Sequence, residues 1–282
     1  MAKKYYPRSI SGKRKGIVLI LSLAIVAILA AIVLEFNYTS RVELDIAGNF
    51  INVLKAECLA KSAINIAIFL LRKDEDLSVD SLNEEWAKQF PPLPISGGKV
   101  TLKITDENRK ININQIKDKK EVKHQIERLL NLIGEDKNIL KNADKKIPYE
   151  TIEQFAREKT PLLANYLTVF GKGKVNINTA NKEVIKSLSP LIDEDLAQRI
   201  VNFREKHPFK DIVQLSPAYE YAKPEGLSGE IYRQINDFIT VRSEVFLIQA
   251  VAQVNDTIKQ IQAVVQRKGR VCKFLYYKVN NG

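Results

Sequence analysis

The feature that most constrains this 282-residue chain is the unbroken apolar run IVLILSLAIVAILAAIVL, residues 17–34, in which Ser22 carries the only polar side chain. Eighteen residues at about 1.5 Å rise give a helix close to the hydrocarbon thickness of a bilayer. Six basic residues (Lys3, Lys4, Arg8, Lys13, Arg14, Lys15) and no acidic one precede it. Such a flank holds the N-terminal end in the cytoplasm and sends the remainder across. A cleaved secretory signal has a core of about 7–15 residues followed by a small-x-small site. Here the run is longer, and the best such triplet, Ser22-Leu23-Ala24, falls too early inside it. A plain signal anchor fits the pattern as it stands. A third reading turns on Gly16, which separates the basic cluster from the run.

The formal charge of +11 invites a nucleic-acid partner, but six of those charges belong to residues 1–16, which leaves +5 for the rest. That is an ordinary surface. Cys58 and Cys272 are far apart, with no metal-type spacing; outside the cytoplasm they can pair. His124 and His207 stand alone among basic and apolar neighbours. There is no Gly-x-Ser-x-Gly, His-containing metal motif or phosphate loop. Glu220, Glu225 and Glu230 match no calcium-loop spacing. No catalytic residue, cofactor or metal ligand is assigned, and the chain is read as a non-enzyme.

No proline occurs between Pro7 and Pro91, which permits a long helix. Apolar residues continue at helical spacing (Ile46, Phe50, Val53, Leu54, then Ile64, Ala67, Ile68, Leu71). One helix is expected over 17–72, apolar all round in its first half and amphipathic in its second, ended by the charged run Arg72–Asp76. Residues 77–90 read as a short helix anchored by Trp86 and Phe90. Lys99–Thr105 alternates like a half-buried strand, and KININ (110–114) reads as a second strand returning from a polar turn. A helical stripe follows (Val122, Ile126, Leu129, Leu130, Ile133), closed by Gly134. Glu150–Glu158 is expected as another helix. Thr179 is an expected N-cap, and Asn181–Leu188 and Asp193–Lys206 read as two helices joined by Ser189-Pro190. The tail switches to period two, an antiparallel meander with turns at Asn255-Asp256 and Arg267–Arg270.

In order along the chain these features resemble the K-type minor pseudopilin (GspK) family of type II secretion systems. They are the basic leader ending in Gly16, the long N-terminal helix, ITDENRKININ (104–114), VNINTA (175–180) opening a helical insertion, and SEVFLIQAVAQVND (243–256). The resemblance implies an α+β fold, with a pilin-like long N-terminal helix packed on an antiparallel sheet. A large helical domain of helix-hairpin-helix, SAM-like type would be inserted in that sheet. The implied segments are a basic prepilin leader (1–16), an N-terminal helix (17–72, of which 17–34 spans the membrane), a pilin-like domain (73–114 and 236–282) and the insertion (115–235). It also implies cleavage by a prepilin peptidase between Gly16 and Ile17, with methylation of the new N-terminus, on a single-pass inner-membrane protein whose soluble part is periplasmic. Implied partners are the I- and J-type minor pseudopilins, the major pseudopilin and the inner-membrane assembly platform. Most of this class carries Glu five residues after the cleavage site, where Leu21 stands here. K-type subunits lack that Glu and are placed at the filament tip; a signal anchor would also carry Leu.

A rival comes from another class. Residues 174–215 also look like the helix-hairpin-helix module of membrane-anchored competence DNA receptors, and a minor pilin of a type IV pilus has a similar build. Helix-hairpin-helix modules grip phosphate through a Gly-hydrophobic-Gly turn with open N–H groups. Here the turn is Ser189-Pro190-Leu191-Ile192-Asp193, without glycine and followed by Glu194-Asp195. Carboxylates there repel a phosphate backbone, so the module is read as a scaffold for protein contacts rather than for nucleic acid.

Overall fold

A computed structural model describes residues 11–95, 97–141, 148–219, 224 and 227–281. The chain divides into two units, Met1–Leu54 and Lys55–Gly282. Helix α1 (Ser11–Lys73) is a single 63-residue helix that contributes to both. In the first unit every side chain from 16 to 39 is exposed. In the second, one face of α1 is buried, made of Ala56, Ala60, Ala63, Ile64, Ala67 and Leu71. That is the expected helical period, filled mostly by alanine, so the helix backbone lies close to what it covers.

It covers a sheet. Strands β1 (Leu93–Ile95) and β2 (Gly98–Asp106) come first. Then follows a helical block containing the two-residue strands β3 (Ile111–Asn112), β4 (Leu167–Thr168), β5 (Val175–Asn176) and β6 (Ile239–Thr240). The meander β7 (Val245–Val254), β8 (Thr257–Lys268) and β9 (Val271–Asn281) closes the chain. The five-stranded sheet runs β1-β2-β7-β8-β9, all antiparallel. Val100, Leu102 and Ile104 of β2, Phe246, Ile248, Ala250, Ala252 and Val254 of β7, and Ile261, Ala263 and Val265 of β8 meet α1 in one buried cluster. Asn255 (φ 51°) and Gly269 (φ 57°) take the left-handed backbone that the two expected turns require.

A second buried cluster runs from Ile111 to Val241 and belongs to the helical block. Its helices are α2 (Lys120–Leu132), α3 (Ile152–Ala156), α4 (Thr160–Leu163), α5 (Lys182–Ser187), α6 (Glu194–Lys206) and α7 (Gly229–Ile235). Gly134 (φ 73°) ends α2 as expected, with Glu135 N–H donating to the Leu130 carbonyl at 2.8 Å and Gly134 N–H to Asn131 at 3.4 Å. This is the Schellman arrangement.

Three local expectations change. KININ is not a returning strand of the main sheet. β3 leaves it and pairs in parallel with β4, while the neighbour of β2 is β7, with Asp106 opposite Phe246. The cause is the Asp106 carboxylate, which accepts the Asn108 N–H at 2.7 Å and turns the chain away. Residues 77–90 form no α-helix. Only Glu85–Ala87 makes a 3₁₀ turn, because Asp80 and Ser81 are buried and the Asp80 N–H is spent on the Val241 carbonyl at 2.8 Å. Thr179 is not the cap of α5, which is Asn181; Thr179 is itself buried. Glu220 and Glu225, from the loop at 216–230, lie outside the described residues.

The block carries an internal repeat. KININ (110–114) and KVNIN (174–178) each open a half, and each half closes on a parallel pairing, Ile111–Asn112 with Leu167–Thr168 and Val175–Asn176 with Ile239–Thr240. In both, the first Asn side chain accepts the N–H two residues on, at 2.9 Å. The second Asn then pairs with a distant backbone as a strand would. Asn114 exchanges two bonds with Tyr149 and Asn178 two with Phe209. These Asn side chains stand in for ladder partners that such short strands lack.

Candidate functional site

Two regions carry the candidate functional residues, and they are described separately. In the first unit, Gly16 and Ile17 lie within α1, with nothing within 4 Å of a Cβ placed on Gly16. Ile17 is 65% exposed and Leu21 60%. Ser22 turns its hydroxyl back onto the Leu19 carbonyl at 2.9 Å, so the one polar group of the run is satisfied within the helix. The helix is long and apolar enough to cross a membrane. Large apolar side chains remain exposed as far as Leu54. An exposed apolar surface of that extent has lipid or other helices as its natural surroundings.

In the second unit, the segments that carry the family resemblance converge on one buried polar junction. Asp106, at the end of β2, is almost wholly buried. Its Oδ2 accepts the Thr179 hydroxyl at 2.5 Å and the Ser243 hydroxyl at 2.6 Å. Asn176 Nδ2 donates to the Ser243 hydroxyl at 2.8 Å and the Asp80 carbonyl at 3.0 Å. Asn108 Oδ1 accepts the N–H groups of Glu244 and Val245, both at 3.0 Å. Asp80 Oδ2 takes the Ser243 N–H at 2.7 Å, and its other oxygen is held by Arg267. Arg267, on β8, also bonds Asp74 at 2.8 Å and the Leu71 carbonyl at 3.2 Å, and lies over the Phe246 ring at 4.8 Å. The junction thus ties the end of α1, the sheet and the helical block together. Arg267, Asp80 and Ser243 are missed by a sequence reading. The available signal is Arg267 itself, a charge at an inward position of the Ile261-Ala263-Val265 series.

Asp74, Asp80 and Glu84 present oxygens within 4.8 Å of one another. Arg267 bonds two of the three and supplies the positive charge there. Burial pushes the Asp80 carboxyl up to about 7, against the pull of Arg267, and pushes Glu84 up to about 7, against the Trp86 indole N–H. A carboxyl raised on folding contributes stability that is full below its unfolded value, 4.5 for Glu84, and is lost as pH rises through about 7. The melting temperature is therefore expected to fall between pH 5 and pH 8. Glu84→Gln, which fixes the neutral form, should flatten the fall. A profile unchanged by that substitution would exclude Glu84 as its source.

Three N–H groups of the hairpin between α5 and α6 are occupied. Leu191 N–H bonds the Ser189 hydroxyl at 3.1 Å, Ile192 N–H the Ser189 carbonyl at 3.2 Å and Leu196 N–H the Asp193 carboxylate at 2.7 Å. Lys182 and Lys186 both pair with Glu194, at 2.5 and 2.8 Å, and their hydrogen bonds hold its carboxyl well below the usual range. This hairpin offers a phosphate little. His124 and His207 are exposed, and Cys58 and Cys272 are unpaired.

The helix-hairpin-helix motif family matches residues 171–240, well under half of the chain. No curated protein matches the sequence. Among solved structures, a chain of the crystal structure of the GspK-GspI-GspJ complex from the enterotoxigenic Escherichia coli type 2 secretion system matches with a TM-score of 0.56. The match spans 86% of this chain and 99% of that one at 13% identity. The two chains share a fold. The long helix, the antiparallel sheet and the helical block between its strands agree with the fold class expected from the sequence.

Proposed function

We propose that the chain is a K-type minor pseudopilin that caps the tip of a type II secretion pseudopilus and helps initiate its assembly. The observation that carries this is the fold, shared over nearly all of a chain from a GspK-GspI-GspJ complex, joined to an exposed apolar α1 that has no use in isolation. In this reading α1 spans the inner membrane once, N-terminus in the cytoplasm, and the second unit lies in the periplasm. Prepilin peptidase cuts Gly16–Ile17 and methylates Ile17. The apolar surface of residues 23–54 then leaves lipid by packing against α1-type helices of I- and J-type partners and the major pseudopilin. Leu21, uncharged, needs no N-terminal amine above it, as suits a terminal subunit; a carboxylate unpaired in lipid would be costly.

Gly16→Leu is expected to abolish cleavage and leave a membrane-held precursor that retains residues 1–16, seen as a larger band on a gel. Normal processing of that variant would remove the prepilin assignment. The second reading, a membrane-anchored DNA receptor, is favoured by the helix-hairpin-helix match. It requires duplex binding with a steep salt dependence, which the occupied hairpin donors argue against.

A further inference from the structure

β9 ends the sheet order, and among the described residues no strand pairs with its outer edge. Seven of its residues from Val271 to Asn280 are exposed, and Cys272, Tyr276 and Asn280 are half-buried. Natural sheets rarely leave an edge this long open. On the face shared with α1, Phe274, Tyr277 and Val279 stand opposite the core residues Val265, Ala263 and Ile261 yet remain exposed. On the opposite face Lys273 and Lys278 stand beside Gln266 and Gln262 and are exposed as well, with half-buried Tyr276, opposite Val264 and against the Phe170 ring, on the same face between the two lysines. Leu275 is the extra residue of a bulge between them. The charge that β8 and β9 themselves carry has one sign, and the nearest acid of α1, Glu57, is paired with Lys61 at 2.6 Å. After Asp256 the chain has no acidic residue, and Lys268 and Arg270 at the turn before β9 are exposed too.

We infer that the outer edge of β9 is a docking site for an extended segment of another protein, one in which apolar and acidic residues alternate. The period of two follows from the edge, since successive side chains of an added strand point to opposite faces. On one face they would meet Phe274, Tyr277 and Val279; on the other, Lys273 and Lys278. A second copy of this chain does not fit, because pairing two β9 edges brings lysines together, which opposes association. The inference rests on the edge itself and stands or falls separately from the pseudopilin assignment.

The test uses the full-length chain in detergent and two labelled seven-residue probes, alternating Val-Glu and alternating Val-Lys. Binding is followed by anisotropy, and the amides of 271–281 by hydrogen exchange. The acidic probe is expected to bind and the basic one not. Binding should slow exchange along β9, and K273E/K278E should weaken it about tenfold. K273Q/K278Q, a milder pair at the same exposed positions, should give an intermediate loss and guards against misfolding of the reversed pair. Equal binding of the two probes, affinity unchanged in both double variants, or binding that leaves β9 exchange unaltered would each overturn the proposal. Cross-linking of two copies through position 279 would do so as well.

Discussion

Arg267→Met is expected to lower the melting temperature of the second unit by about 10 °C. The Arg267 side chain is 2% exposed and pairs with Asp80 and Asp74, which are 0% and 7% exposed. Burial alone would lower the guanidinium pKa, and the two carboxylates more than reverse this and hold it up. Removing the arginine leaves buried carboxylates without a counter-charge, which costs about 3–5 kcal/mol. For a domain of this size each kcal/mol moves the midpoint by roughly 2–4 °C. The Leu71 carbonyl at the end of α1 loses a donor too. Lys268→Met, one residue on and exposed, serves as the control and should stay within about 0.5 kcal/mol of the parent. Thermal unfolding of the two variants side by side decides the matter. Equal midpoints would mean that the junction carries no net stability.

The second large effect is at Asp106. Asp106→Ala strands the hydroxyl of Ser243 and the N–H of Asn108, and leaves the Thr179 hydroxyl only its long bond to the Asn176 carbonyl at 3.4 Å; all three donate to that carboxylate. Each buried donor left without a partner costs about 1–3 kcal/mol, so a total of about 3 kcal/mol is expected. Burial raises the Asp106 pKa against its hydroxyl donors, so the neutral isostere should be tolerated better. Asp106→Asn keeps an acceptor for Asn108 and is expected to recover about 1–2 kcal/mol of the loss. The loss should also be local. Hydrogen exchange is expected to quicken first at 106–112, 174–180 and 243–245, where the helical block meets the sheet. Uniform quickening along the whole chain would argue against a junction and for general core damage.

The parts of this fold legible in sequence are those with long, unambiguous periods. α1 follows from an apolar run with no proline before Pro91, and β7 and β8 from apolar residues at every second position over 246–254 and 261–265. Short segments governed by side-chain hydrogen bonds were not legible in the same way. KININ alternates like a strand, but only two of its residues pair, and its asparagines are turn-formers that bond backbone elsewhere. Trp86 and Phe90 have helical spacing, yet Asp80 before them is spent on the junction. Thr179 has the chemistry of a cap and uses it on Asp106. The repeat of KININ in KVNIN was present in the sequence but hidden by the different lengths between its paired strands. The proposed cleavage position is the reverse case. Gly16 is set apart by the basic cluster on one side and the apolar run on the other, whereas in the fold it is one more exposed helical residue.

The most direct measurement is the mass and N-terminal sequence of the protein extracted from membranes, with and without its prepilin peptidase. A minor pseudopilin begins at Ile17, methylated, and only when the peptidase is present. An intact N-terminus at Met1 in both preparations would make the chain a signal-anchored protein and contradict assembly at a pseudopilus tip.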